Sequence, residues 1–385
     1  MILRLSLQIF LFSSWLCNFV PARRLRRRYL SVAALEATRE AHAAHVVMKN
    51  TNGKSASEST VIPKVYESWP SQKSLPCFPA EENWETTKVQ SGPIDEGLLY
   101  MKLYKTGSST TSGIHLRIAR NLANRTGIDQ EVCKSRFDHG PWVHPSHRFR
   151  DRKMGRSFLW TVLRDPTQRL ISSFFFMQVS RGKIEPTDKN FLNFLQSDRD
   201  MKVQYYLRAL ETGRYNITHR DFSTVANQIM QDYDFIGVTE RMDETAVLIM
   251  MLLDLPMADI LFLSAKHRGS YEPGGEEGRC TYIWPSFLSP SMKDFFDSRE
   301  WQELIRIDQA LYLAANQSMD LTIDRLGRDK FEATLIKFKN AQKYAEDKCL
   351  QVTRFPCSES GESLNHTDCI WRVRKNNDLA TDHCT

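Results

Sequence analysis

Two apolar runs, each breaking abruptly into polar residues, dominate the hydropathy pattern of this chain. Leu98, Leu99, Tyr100, Met101 and Leu103 read as a buried strand that gives way to the polar loop Lys105, Thr106, Gly107, Ser108, Ser109 and Thr110. Ile114, Ile118 and Leu122 then recur at helical spacing, the inward stripe of a helix that opens at this loop. Residues 158–163 form a second, almost uninterrupted apolar run, as expected of a strand covered on both faces of a parallel sheet. It delivers Arg164 to the strand's carboxyl end, where Asp165 can cap the next helix and Pro166 suits its first turn, with Arg169, Ser172 and Ser173 following on that helix. Residues 260–263 read as a further strand, and helical patterns mark 189–195, 201–210 and 222–230. Trp301, Leu304, Leu311, Tyr312, Ala315, Met319 and Ile323 outline another amphipathic helix. Strands alternating with helices predict a mostly parallel three-layer α/β fold with its ligand at the carboxyl edge of the sheet. No internal repeat is visible.

Composition divides the chain further. With 385 residues, 41% hydrophobic and 25% charged, it can bury one large core plus appendages. We divide it into 1–28, a signal peptide or signal anchor with a basic flank; 29–90, a stem or linker; 91–345, the catalytic domain; and 346–385, a cysteine-rich tail. The apolar stretch 5–20 is interrupted by Ser6, Gln8, Ser13, Ser14 and Asn18, short for a membrane span and suited to a signal h-region, with Val20-Pro21-Ala22 as a candidate cleavage site. An arginine cluster follows the apolar run, whereas a luminal domain behind a retained anchor prefers positive charge before it, so an acid-free organellar presequence stays open as a second reading. Net charge is +6, and Arg4, Arg23, Arg24, Arg26, Arg27 and Arg28 account for all of it, which argues against nucleic acid as a partner. Of the cysteines, Cys17 lies in the apolar segment; Cys77, Cys133, Cys280, Cys349, Cys357, Cys369 and Cys384 remain, crowded toward the end as in a disulfide-stapled tail. Asn124, Asn216, Asn316 and Asn365 satisfy the N-x-S/T rule, Asn316 least suitably because it falls in the amphipathic helix. Both features favour the secretory pathway.

The chemistry lies where the apolar runs stop. The first N–H groups of a helix lack intrahelical partners and its dipole favours negative charge, so an anion is the natural occupant of the 105–110 loop. Gly107 permits close approach, three hydroxyls add donors and Lys105 adds a point charge. Taken alone, the loop also reads as an ordinary capped helix start. It is not a Walker A loop, because Lys105 precedes the only glycine of the turn. Arg164 and Ser172 offer a second phosphate grip, although Arg164 can equally pair with a carboxylate and Ser172 back-bond within its helix.

Together the two segments resemble the Golgi carbohydrate sulfotransferases that use 3′-phosphoadenosine 5′-phosphosulfate (PAPS), nearest in flavour to the galactose 3-O-sulfotransferases and the uronyl and heparan sulfate 2-O-sulfotransferases. KTGSST looks like their 5′-phosphosulfate loop, RDPTQRLISSFFF like their 3′-phosphate motif with Arg164 and Ser172 at matching positions, and 234–253 like their later strand and following helix. The resemblance implies a P-loop-like sulfotransferase fold, PAPS as co-substrate, no metal, and direct in-line passage of the sulfuryl group to a glycan hydroxyl, either galactose or uronic acid. Catalysis is then mostly positioning and charge stabilisation, with Lys105 at the leaving oxygen. A base is also needed, and FDHGPWVHPSHR offers His139, His144 and His147; the resemblance favours His139, on a strand after the first helix, with Gly140 leaving space for a sugar. The same histidines also read as surface loop residues, and their spacing matches no standard zinc pattern. Lys266, Arg268 and Ser270 are expected to close over the 3′-phosphate, with a solvated charged loop as the bland alternative. Tyr205, Tyr206, Arg208 and Arg214 read either as acceptor contacts or as packing and solvated charge. The expected setting is the Golgi lumen, with the chain held by a single-pass membrane anchor or soluble after signal cleavage. Competing functions are a P-loop kinase or NTPase, for which no acidic strand end suited to Mg²⁺ stands out, and an inactive secreted glycan-binding relative.

Overall fold

A computed structural model describes residues 67–71, 97–127, 134–138, 149–197, 204–211, 222–263, 269–272, 279–349, 357–358 and 360–362. Four parallel strands organise it: β1 Gly97–Lys102, β2 Lys134–Asp138, β3 Ser157–Leu163 and β4 Phe235–Val238, in the spatial order β2-β1-β3-β4. The helices are α1 Ser108–Thr126, α2 Pro166–Phe174, α3 Asp188–Gln196, α4 Tyr205–Leu210, α5 Phe222–Asp232, α6 Met242–Leu253, α7 Pro290–Asp297, α8 Arg299–Leu326 and α9 Arg328–Cys349. A small antiparallel hairpin pairs β5 Tyr271–Glu272 with β6 Thr281–Tyr282. The three-layer α/β architecture expected from the alternation of elements is therefore present.

Every residue of β3 is buried, as are all of β1 except Lys102, which is why both strands read as continuous apolar runs. Register aligns Leu99 with Leu159, Leu163 with Val238 and Lys102 with Asp138, so the strand ends lie side by side. Ile114, Ile118 and Leu122 are buried on α1, and the main core joins Ile114 and Ile118 to Met101, Trp160, Phe235 and Leu311. A second cluster, with Phe174, Phe191, Phe296 and Trp301, lies under the outer helices.

Topology fixes where a ligand can sit. β1 connects through α1 to β2 on one side, whereas β3 connects through α2 to α5 to β4 on the other. Right-handed crossovers running in opposite directions lie on opposite faces, so a crevice opens between the carboxyl ends of β1 and β3.

Three readings of the sequence need correction. Residues 260–263 form no strand: the Phe262 N–H donates to Gln342 Oε1 at 3.1 Å and the Gln342 amide returns a bond to the Phe262 carbonyl, so a side chain of α9 satisfies the backbone groups that a neighbouring strand would have used. Within the segment read as a stem, the described residues 67–71 reach the core. Trp69 is buried edge-on to Phe235, its N–H donates to Thr322 at 2.8 Å and its carbonyl accepts from Arg325 at 2.5 Å. Cys357, finally, bonds back to Cys280 beside the hairpin rather than to another cysteine of the tail. No helix among the described residues is long and apolar enough to cross a membrane, and residues 1–28 lie outside the described residues.

Candidate active site

Lys105 and Gly107 both adopt left-handed backbone conformations, φ 61° and 69°, to swing the chain from β1 into α1. Only glycine fits at the second position without strain, and a Cβ there would lie 3.0 Å from Met242 and 3.3 Å from Thr239. Gly107 is also the N-cap and brings no side chain to the first turn, which contains no acid. The N–H groups of Ser108, Ser109 and Thr110 thus face outward from a positive helix end. Ser108 is buried, Thr110 half-buried and Ser109 exposed. Thr106 departs from expectation: its side chain is fully buried and its hydroxyl donates to the Leu103 carbonyl at 3.3 Å, so it has only main-chain groups to offer a ligand. The Lys105 ammonium stands 3.7 Å from the centre of the Phe176 ring.

The second turn meets the first. Arg164 Nη1 donates to the Lys105 carbonyl at 3.3 Å, while Arg164 Nε lies 3.8 Å from Glu240. The carboxylate pairing weighed from sequence is real but long. Burial pushes the Glu240 carboxyl above its ordinary range, and its Oε1 also accepts from the Asp165 N–H at 3.2 Å. Asp165 caps α2 as expected, accepting from the Gln168 N–H at 2.9 Å, with Pro166 at the first helical position. Ser172 is half-buried on α2, and Ser173 is buried.

Residues far away in sequence lock this geometry. Thr239, just past β4, directs its hydroxyl to the carbonyls of Thr106 and Leu163, 2.8 Å from each, so one proton is shared between the two turns. Two consecutive tyrosines of α4 divide the same labour. Tyr205 accepts from the Tyr104 N–H at 2.8 Å, whereas Tyr206 donates to the Arg164 carbonyl at 2.6 Å and accepts from its N–H at 3.0 Å. Burial raises both phenols, Tyr206 the more strongly, so both keep their protons. Beneath them Arg169 packs 4.4 Å from the Tyr205 ring centre and is buried, so it is a packing residue and does not reach the crevice. Asp308, from α8, accepts from the Tyr206 N–H at 3.0 Å and acts as a long-range cap for α4. Burial lifts its carboxyl to about 7.

Sequence reading missed the parts of Thr239, Tyr206 and Asp308. The available signals were a threonine directly after a buried strand and a paired aromatic step in a short helix, neither specific. β2 ends at Asp138, at the same edge as the lysine-led turn; His139, His144, His147, Lys266, Arg268 and Arg214 lie outside the described residues. Ser270 is half-buried in the hairpin, where its carbonyl accepts from the Ile283 N–H at 2.9 Å. Of the described sequons, Asn124 is exposed, whereas Asn316 is half-buried and accepts from Arg241 at 3.3 Å. Among the described residues no group of three or more His, Cys, Asp or Glu side chains gathers as a metal site would.

Residues 94–266 match the model of the sulfotransferase family, and that match supports sulfuryl transfer as the chemistry of this chain. Both turns, Thr239 and the two tyrosines fall inside the matched stretch. No curated protein matches the chain.

Proposed function

We propose that this chain moves a sulfuryl group from PAPS to a hydroxyl of a glycan, galactose or uronic acid, in the lumen of the Golgi. The observation that carries the reading is the meeting of a lysine-led and an arginine-led turn on adjacent strand tips at the crevice, joined by the Arg164 to Lys105 bond. The uncapped, acid-free start of α1 and the glycine that leaves no Cβ in the cradle suit a phosphosulfate. In this reading Lys105, Gly107, Ser108, Ser109, Thr110 and the main chain of Thr106 hold the 5′ end, and Arg164 with Ser172 holds the 3′-phosphate, joined by Lys266, Arg268 and Ser270. The bound donor supplies a sulfuryl group on a good leaving phosphate. Lys105 neutralises charge that grows on the bridging oxygen, and His139 takes the proton of the acceptor hydroxyl as its oxygen bonds to sulfur. The Cys280–Cys357 disulfide and exposed Asn124 support an oxidising, glycosylating compartment.

The test is to incubate the purified chain with ³⁵S-labelled PAPS and a panel of galactosides, uronic-acid glycans and glycolipids, and in parallel with ATP and Mg²⁺. Calorimetry with 3′-phosphoadenosine 5′-phosphate (PAP) measures the donor site separately. Label should pass to a glycan, Arg164→Ala should weaken PAP binding, and His139→Ala should abolish transfer while PAP still binds. Phosphate release from ATP identifies an NTPase instead, and PAP binding without transfer to any acceptor identifies an inactive relative.

A further inference from the structure

A cavity of about 830 Å³ lies beside the crevice, between the π-helical turn Phe175–Arg181, the loop after it and the β5–β6 hairpin. Its described lining brings three cations, Arg181, Lys183 and Arg279, against one carboxylate, Glu185. Three aromatics form a ladder along the hairpin wall: Tyr271 and Tyr282 have ring centres 5.2 Å apart, Tyr282 and Trp284 5.7 Å. Trp284 is 52% exposed, which leaves part of its indole open to contact.

The wall is also held in place. The Trp284 N–H donates to the Ser180 hydroxyl at 3.0 Å, that hydroxyl donates to the Phe175 carbonyl at 2.7 Å, and the Cys280–Cys357 bond ties the hairpin to the tail. One ring connects the cavity to the candidate active site. Phe176 has the Arg181 guanidinium 4.5 Å and the Lys105 ammonium 3.7 Å from its centre, so the cationic end of the cavity adjoins the lysine-led turn.

We infer that this cavity is the acceptor subsite and that it takes an anionic saccharide, one already bearing carboxylate or sulfate. Sugar rings offer apolar C–H faces to aromatic side chains while their anionic groups pair with Arg and Lys, and both kinds of partner line the same space. A neutral sugar would not use the excess positive charge of the lining. A peptide is the poorer fit, because strands of two residues each give no edge for an extended chain to join. Its assignment as the acceptor subsite rests on the sulfuryl-transfer reading; its selectivity for anionic saccharide does not.

The test therefore needs no donor. Calorimetry on the full chain without nucleotide uses a heparin-derived hexasaccharide, a hyaluronan hexasaccharide carrying carboxylate alone, maltohexaose and an acidic tyrosine-containing peptide. At least one anionic hexasaccharide should bind ten-fold or more tightly than maltohexaose. Trp284→Ala and Lys183→Gln, on separate walls, should each weaken it at least five-fold, with melting temperature and PAP affinity unchanged. Equal binding of maltohexaose, preference for the peptide, or anionic binding that neither variant alters overturns the inference. Failure of the wild type to bind PAP counts instead against the proposed function and leaves the saccharide result standing.

Discussion

Tyr206→Phe removes one oxygen and, by the geometry of the arginine-led turn, should weaken both fold and donor binding. That hydroxyl satisfies both main-chain groups of Arg164, at 2.6 and 3.0 Å, and its raised pKa keeps it a donor throughout the working pH range. A buried polar group left without its partner costs about 1–3 kcal/mol. The turn is only half-buried and water can reach it, so each of the two groups falls at the low end and the sum is about 2 kcal/mol. For a domain of this size that corresponds to a fall in melting temperature of roughly 4–8 °C. If the bound nucleotide requires Arg164 in its native position, ordering the loosened turn consumes part of the binding energy, and each 1.4 kcal/mol so consumed weakens PAP about tenfold. Differential scanning calorimetry and PAP titration on the same preparation measure both quantities. An unchanged melting temperature together with unchanged PAP affinity would falsify the claim that this hydroxyl holds the arginine turn.

Two other perturbations probe the same framework. Thr239→Val keeps the shape and deletes the proton shared by the carbonyls of Thr106 and Leu163, so stability should drop by about 1–3 kcal/mol in urea titrations, with looser PAP binding; a midpoint equal to wild type removes the link between the turns. Asp308 contributes a pH dependence of known sign. Burial raises its folded value from 3.8 to about 7, so folding takes up a proton between those values; the associated stability is complete below 3.8 and is lost as pH rises to about 7. Asp308→Asn carries no charge to bury and keeps an oxygen for the Tyr206 N–H, so its melting temperature should fall less steeply than that of wild type from pH 4 to 7, and parallel profiles would refute the assignment.

Local physics wrote much of this protein into neighbouring residues. A strand buried on both faces must be apolar throughout, so β1 and β3 were visible, and a helix start needs a cap or a glycine, so Asp165, Pro166 and Gly107 marked their turns. Those same rules misread 260–263, because apolar content reports burial and does not say whether a strand or the Gln342 amide will meet the backbone. Nor does helix spacing reveal that Arg169 is buried with its guanidinium against the Tyr205 ring. Tyr206 meets Arg164 across 42 residues and Asp308 across 102. Contacts of that span follow from the order of the strands and the crossovers between them, not from any period along the chain. Residue order alone marked β1 and β3 as buried strands and the polar turns that follow them. Which hydroxyls hold those turns together was left to folding, since a hydrogen bond forms only where donor and acceptor have already come within about 3 Å.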